Sequence, residues 1–269
     1  MKQPPANRPR PAFPARLPSA PAPQPARKPL AATPAPQVVL PQGLGMDSAA
    51  VRAAMVRKLQ AQGLAHPMVV AAILAVERHR FVDSALVNQA YEDTSLPIGL
   101  GQTISKPSVV ARMIELLLHG RHDKLGRVLE IGTGCGYQAA VLSQVAREVY
   151  SIERLKGLHD KARDNLRHFR VPNLHLLFGD GMVGFARGAP YAAIIAAAGG
   201  EDIPTAWVDQ LAVGGRLVAP AVTAQGRQNL VVVDKTPTGV VRTELEAVHF
   251  VPLKSVSYTH LTLPTICSV

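Results

Sequence analysis

At 269 residues, 47% of them apolar, the chain can hold one sizeable core or two small ones, which excludes disorder throughout and suits a globular protein. Its net charge of +10 is unevenly spread: residues 1–41 carry six basic side chains and no acid, so only +4 belongs to the remainder, a mild excess that makes nucleic acid an unexpected partner. Two cysteines, Cys135 and Cys267, argue against a disulfide framework, and the absence of clustered Cys and His or of a long apolar run argues against a metal site, a signal peptide and a membrane span, so a cytoplasmic protein is expected.

Residues 1–45 form a Pro/Ala-rich basic extension, with 13 of the 23 prolines in its first 41 residues, a composition too poor in apolar surface to fold. Asp47 or Ser48 is placed to cap a first helix, with Val51, Met55, Val56 and Leu59 on one face and a stop near Gly63. Pro67 opens a second helix, PMVVAAILAVERH. YEDTSLPIGLGQTIS, residues 91–105, lacks a helical period and is punctuated by Pro97, Gly99 and Gly101, which predicts an exposed loop of the kind that carries function. Pro107 then starts a third helix that stops near Gly120.

From residue 127 the pattern alternates. RVLEI, EVYSIE, LHLLFGD, YAAIIAA and RLVAPAV are short apolar runs separated by helical stretches, the sign of a mostly parallel sheet covered on both faces. NLVVVDK, the turn TPTG and VVRTELEAVHFVPL read as antiparallel strands closing that sheet. The fold class expected is therefore α/β, Rossmann-like and doubly wound, with an antiparallel C-terminal strand pair and an N-terminal helical segment.

VLEIGTGCGYQAAVL, residues 128–142, joins a strand to a helix through three glycines, and Glu153 follows about 20 residues later at the end of the next strand. That is a nucleotide-binding crevice, with the Glu153 carboxylate placed for ribose hydroxyls. Gly134, Gly136 and Ala139 also satisfy the dinucleotide pattern G-x-G-x-x-[GA], so a nicotinamide oxidoreductase stays open. Charge favours S-adenosylmethionine, because Glu130 beside the loop would repel a pyrophosphate and attract a sulfonium and an ammonium. Asp180, in GDG, is placed to accept an adenine amino group, or to make an Asx turn.

YEDTSLPIGLGQTISKP, VLEIGTGCGYQAAVL, SIERLKGL, GDG, and IPTAW followed by QLAVGGRLVAPA together resemble the protein-L-isoaspartate O-methyltransferase family, over about residues 47–253. The resemblance implies methyl transfer from S-adenosylmethionine to the free carboxylate of L-isoaspartyl residues in damaged proteins and peptides, whose ester then collapses to a succinimide. It implies a repair enzyme, with residues 46–253 as its methyltransferase domain, and a monomer is expected. Its active-site serine maps onto Ser105, and its cofactor contacts onto Glu130, Gly132, Thr133, Gly134, Gly136, Glu153, Asp180 and Gly181. Substrate contacts are expected from Leu96, Pro97, Ile98, Thr103 and Ser105. Ala192 and Ala197 stand where relatives commonly carry an acid and a hydroxyl, and KSVSYTHLTLPTICSV, residues 254–269, resembles nothing in the family's usual ending and is read as a cloning or reading-frame artefact. A methyltransferase acting on a small molecule or nucleic acid, and a non-catalytic module that keeps the cofactor, are the other readings to be weighed.

An isoaspartyl carboxylate is already ionised at pH 7, so methyl transfer requires alignment and no general base. Ser105 is accordingly expected to orient the acceptor, aided by free N–H groups at the start of the third helix.

Overall fold

The computed structural model describes residues 49–255. The extension 1–45, the caps Asp47 and Ser48, and residues 256–269 of the atypical ending lie outside the described residues.

Helix α1 (Ala49–Ala61) buries Met55, Val56 and Leu59, as its apolar spacing predicts. Helix α2 (Pro67–Ala75) begins on proline, whose missing N–H has no helical partner to lose in the first turn. It stops four residues short of the run read from sequence, and Arg78–Phe81 form a 3-10 turn. Arg78 turns into the core there, its Nε donating to the Ala90 carbonyl at 2.8 Å and its guanidinium lying 4.8 Å from the centre of the Tyr137 ring.

Residues 91–105 are not simply an exposed loop. Leu96–Gly99 (β1) and Gln102–Ile104 (β2) pair as an antiparallel hairpin. Leu96, Ile98 and Ile104 point into the core while Pro97 and Gly99 face out, a period-2 pattern that the interspersed Pro and Gly disguise in the sequence. The turn passes through Leu100 and Gly101, both in the left-handed region. Helix α3 (Pro107–Leu118) follows and ends on His119, also left-handed, one residue before the predicted stop.

The main sheet contains β3 (Leu125–Ile131), β4 (Ala146–Glu153), β5 (Leu174–Phe178), β6 (Tyr191–Ala196), β7 (Leu211–Val222), β8 (Gln228–Thr236) and β9 (Gly239–Ala247). Its order is β5-β4-β3-β6-β7-β8-β9. The first five are parallel; β8 and β9 are antiparallel additions. Helices α4 (Tyr137–Val145), α5 (Lys156–Leu166) and α6 (Thr205–Gln210) fill the connections. Alternate strand residues serve opposite faces. Val128, Val149, Ala193, Ile195 and Val218 pack with α1 to α5, whereas Leu129, Ile131, Ile152, Ile194 and Leu217 pack with Trp207 of α6. A strand covered on both sides buries consecutive residues, which is why these strands read as unbroken apolar runs.

Edge strand β9 is exposed, and Arg242, Glu244 and Glu246 discourage pairing with another chain. It ends at Ala247, not at Leu253 as read from sequence. The chain instead turns back over the end of β6: the Gly199 N–H donates to Val251 O at 2.9 Å and the Leu253 N–H to Gly199 O at 2.8 Å. No helix among the described residues is long and apolar enough to cross a membrane.

Candidate active site

Strand order reverses between β3 and β6, and a cleft opens at their carboxyl ends, where doubly wound sheets bind ligands. The glycine loop forms its floor, the ends of β4 and β6 its sides, and the β1–β2 hairpin with Ser105 and the segment Val251–Lys254 its outer wall.

The loop's glycines do different jobs. Gly134 has φ +57, and a Cβ there would sit 3.2 Å from Ile98, so the hairpin rests directly on the loop. Gly136, at φ +93, does not line the cleft; a Cβ would press on Leu166 at 3.0 Å, and the glycine allows α5 to approach. Gly132 and Thr133 line the floor, and Ala197, the departure noted in the sequence, lies beside Gly132.

Glu153 lies at the end of β4 with its side chain on the cleft wall. Its Oε2 accepts the Gly134 N–H at 2.9 Å and its Oε1 the Leu155 N–H at 2.8 Å, which locks the carboxylate against the loop while lone pairs on both oxygens remain. Glu130 is placed differently from expectation. It is fully buried beneath the floor and does not line the cleft. Ser151 is hydrogen-bonded to its Oε2, and the Ser151 and Thr133 hydroxyls are hydrogen-bonded to each other at 2.6 Å. Burial pushes the Glu130 carboxyl from 4.5 up to about 8, so it is mainly neutral at pH 7. The charge argument against pyrophosphate therefore fails in the ligand-free protein.

A raised acid pKa in the fold means unfolding releases a proton. The stabilisation is full below pH 4.5 and is lost as pH rises through about 8. Glu130→Gln removes this dependence. Unfolding measured without ligand between about pH 5 and 9 should show the wild type losing several kcal/mol relative to the variant, at ~1.4 kcal/mol per pH unit. Parallel curves for the two proteins would refute the assignment.

Asp180 does not line the cleft; its Oδ1 accepts the Met182 N–H at 2.8 Å, the Asx-type turn left open in the sequence. Gly181 does line it, held by the Trp207 Nε1–H donating to its carbonyl at 2.8 Å, and a Cβ on Gly181 would meet Ile131 at 2.5 Å. Of the hairpin residues, Ile98, Thr103 and Ser105 face the cleft, whereas Leu96 is core and Pro97 faces outward. Ser105 does not cap α3: the N-cap is Lys106, and no side-chain cap bond forms. Pro107 has no N–H, and the Ser108 N–H is taken by the Asp93 carboxylate at 2.9 Å. The start of α3 is thus not the open anion site expected from the sequence, and Ser105 must act through its hydroxyl.

Sequence reasoning missed Asp93, the cleft-lining Gln138 and Arg154, and the wall formed by Val251–Lys254. No local pattern signals any of them, since each acts on segments distant in the chain. Cys135 lines the cleft, but burial pushes its thiol up to about 11, which leaves it a poor nucleophile.

Carboxylate acceptors on Glu153, a glycine cradle without side chains and polar atoms on the floor with no partner among the described residues fit an adenosyl group bearing an amino-acid end. This fold and cleft define an S-adenosylmethionine-dependent methyltransferase. The family model for protein-L-isoaspartate(D-aspartate) O-methyltransferase matches residues 50–257, and the chain belongs to that family. A protein-L-isoaspartate O-methyltransferase from Methylibium petroleiphilum is 63% identical over 218 residues, covering 80% of this chain and 81% of that one. One from Leptothrix cholodnii is 61% identical over 216 residues, covering 79% and 76%. A solved protein-L-isoaspartate O-methyltransferase superposes with a TM-score of 0.69 at 29% identity, over 76% of this chain and 66% of that one. A putative Plasmodium falciparum enzyme, solved with S-adenosyl-L-homocysteine, matches in fold with a TM-score of 0.68 at 22% identity, over 76% and 99%. The protein transfers a methyl group from S-adenosylmethionine to the free carboxylate of L-isoaspartyl residues in damaged proteins and peptides.

Proposed function

We propose that Ser105 holds the isoaspartyl carboxylate against the glycine loop, with Glu153 holding the cofactor ribose. The observation that carries this reading is that Ser105, at the exit of the hairpin, lines the same cleft as Gly132, Gly134 and Glu153. S-adenosylmethionine, when bound, supplies a methyl group already activated by its sulfonium. The acceptor carboxylate is ionised at neutral pH, so no residue has to remove a proton. Ser105 donates a hydrogen bond that fixes the attacking oxygen, and Thr103 lies on the same wall. Ile98, Ile104 and Leu253 exclude water. Orientation of this kind contributes up to roughly 7–11 kcal/mol in the best intramolecular cases. Arg154 on the cleft wall favours an anionic acceptor.

We read residues 46–253 as the methyltransferase domain of a cytoplasmic monomer, with no nucleic-acid partner. A peptide with one L-isoaspartyl residue should be methylated and its aspartyl twin left untouched; equal methylation of the two would overturn the acceptor assignment. The nicotinamide alternative predicts tighter binding of NADH than of S-adenosylhomocysteine in calorimetric titration, the opposite of what we expect.

A further inference from the structure

Gln138 is the second residue of α4 and faces the cleft, yet it is only 7% exposed. Neither its Nε2 nor its Oε1 has a hydrogen-bond partner among the described residues. The Glu130 Oε1 beneath the floor also lacks one. The Gln138 amide approaches the Glu130 carboxyl, and this tempers the rise in its pKa, without reaching hydrogen-bonding geometry. Burying an amide with both ends unpaired is costly, and native proteins seldom leave one so unless a ligand completes it.

We propose that Gln138 reads the amino-acid end of the cofactor, its Nε2–H groups donating to the carboxylate and its Oε1 accepting from the ammonium. The chemistry of the unmet atoms decides this. Glu153 already faces the cleft with the acceptors a ribose needs, and an isoaspartyl carboxylate offers acceptors only, with no donor for the Gln138 Oε1. An α-amino acid end carries donor and acceptor together, and the first turn of α4 adds the positive end of a helix dipole near the carboxylate. Gln138 is therefore a positioning residue for the donor. The inference takes the cofactor as established and does not depend on the role of Ser105.

The test pairs a residue change with a ligand truncation. S-adenosylhomocysteine and 5′-methylthioadenosine share the adenosine and the sulfur, but only the first has the amino-acid end. Titration calorimetry on the full chain should show Gln138→Leu raising Kd for S-adenosylhomocysteine by about 10- to 100-fold while Kd for methylthioadenosine stays within about twofold. Gln138→Glu, which replaces the donors by a second acid, should weaken S-adenosylhomocysteine further and again spare methylthioadenosine. Methylthioadenosine binding also reports that each variant is folded. Unchanged S-adenosylhomocysteine affinity in Gln138→Leu overturns the proposal, as does an equal loss for both ligands, which would make Gln138 a support of the loop. A rise confined to KM for the isoaspartyl peptide overturns it in favour of the acceptor.

Discussion

Ser105→Ala should slow methyl transfer by about 10²-fold and leave the Kd for S-adenosylhomocysteine within about twofold, because the proposed site sets its hydroxyl against the acceptor and not the donor. The size follows from lost alignment, since a small misplacement of the attacking oxygen can cost about 10²-fold. Ser105 makes no cap on α3, so its loss costs the helix nothing directly, and unfolding should change little. Single-turnover methylation of an isoaspartyl peptide, run beside a calorimetric titration, separates the two effects. Turnover matching the wild type would remove Ser105 from the acceptor site, and a parallel loss of cofactor affinity would make it a support of the loop.

Glu153→Ala has the opposite signature. Its carboxylate holds two backbone N–H groups, at Gly134 and Leu155, and in the proposed site its remaining lone pairs accept from the ribose. Hydrogen bonds to a charged group contribute about 1.5–3 kcal/mol each, so cofactor affinity should fall by at least about 10²-fold. The freed Gly134 N–H loosens the glycine loop as well, and unfolding should move by about 1–3 kcal/mol. Glu153→Gln keeps one acceptor oxygen but turns an amide N–H toward a backbone donor, so it should lie between alanine and wild type. Cofactor binding unchanged in both variants would contradict the placement of the ribose.

The layers of the protein follow from local rules. Unbroken apolar runs set by helices mark a covered parallel sheet, and the glycine loop before α4 marks where its ligand sits. The place of Glu153 on the cleft was legible because it depends on strand end and spacing, and that of Ser105 because the motif around it is narrow. The hairpin was not, since Pro97, Gly99 and Gly101 disguise the alternation of Leu96, Ile98 and Ile104.

Residues that act across long sequence distances left no local trace. Asp93 meets Ser108 over 15 positions, and Gly199 meets Val251 and Leu253 across the top of β6. By itself the sequence determined the sheet and the crevice, because both depend on short-range periodicity and turn geometry; the chemical class of the donor followed from the family resemblance, since the glycine pattern alone also admits a dinucleotide. Only the tertiary structure decided that Glu130 is buried and mainly neutral, that α3 offers no open anion site, and that Gln138 is left with unmet hydrogen bonds. Burial and hydrogen-bond satisfaction belong to the packed surroundings of a group, and those surroundings are assembled from segments far apart in the chain.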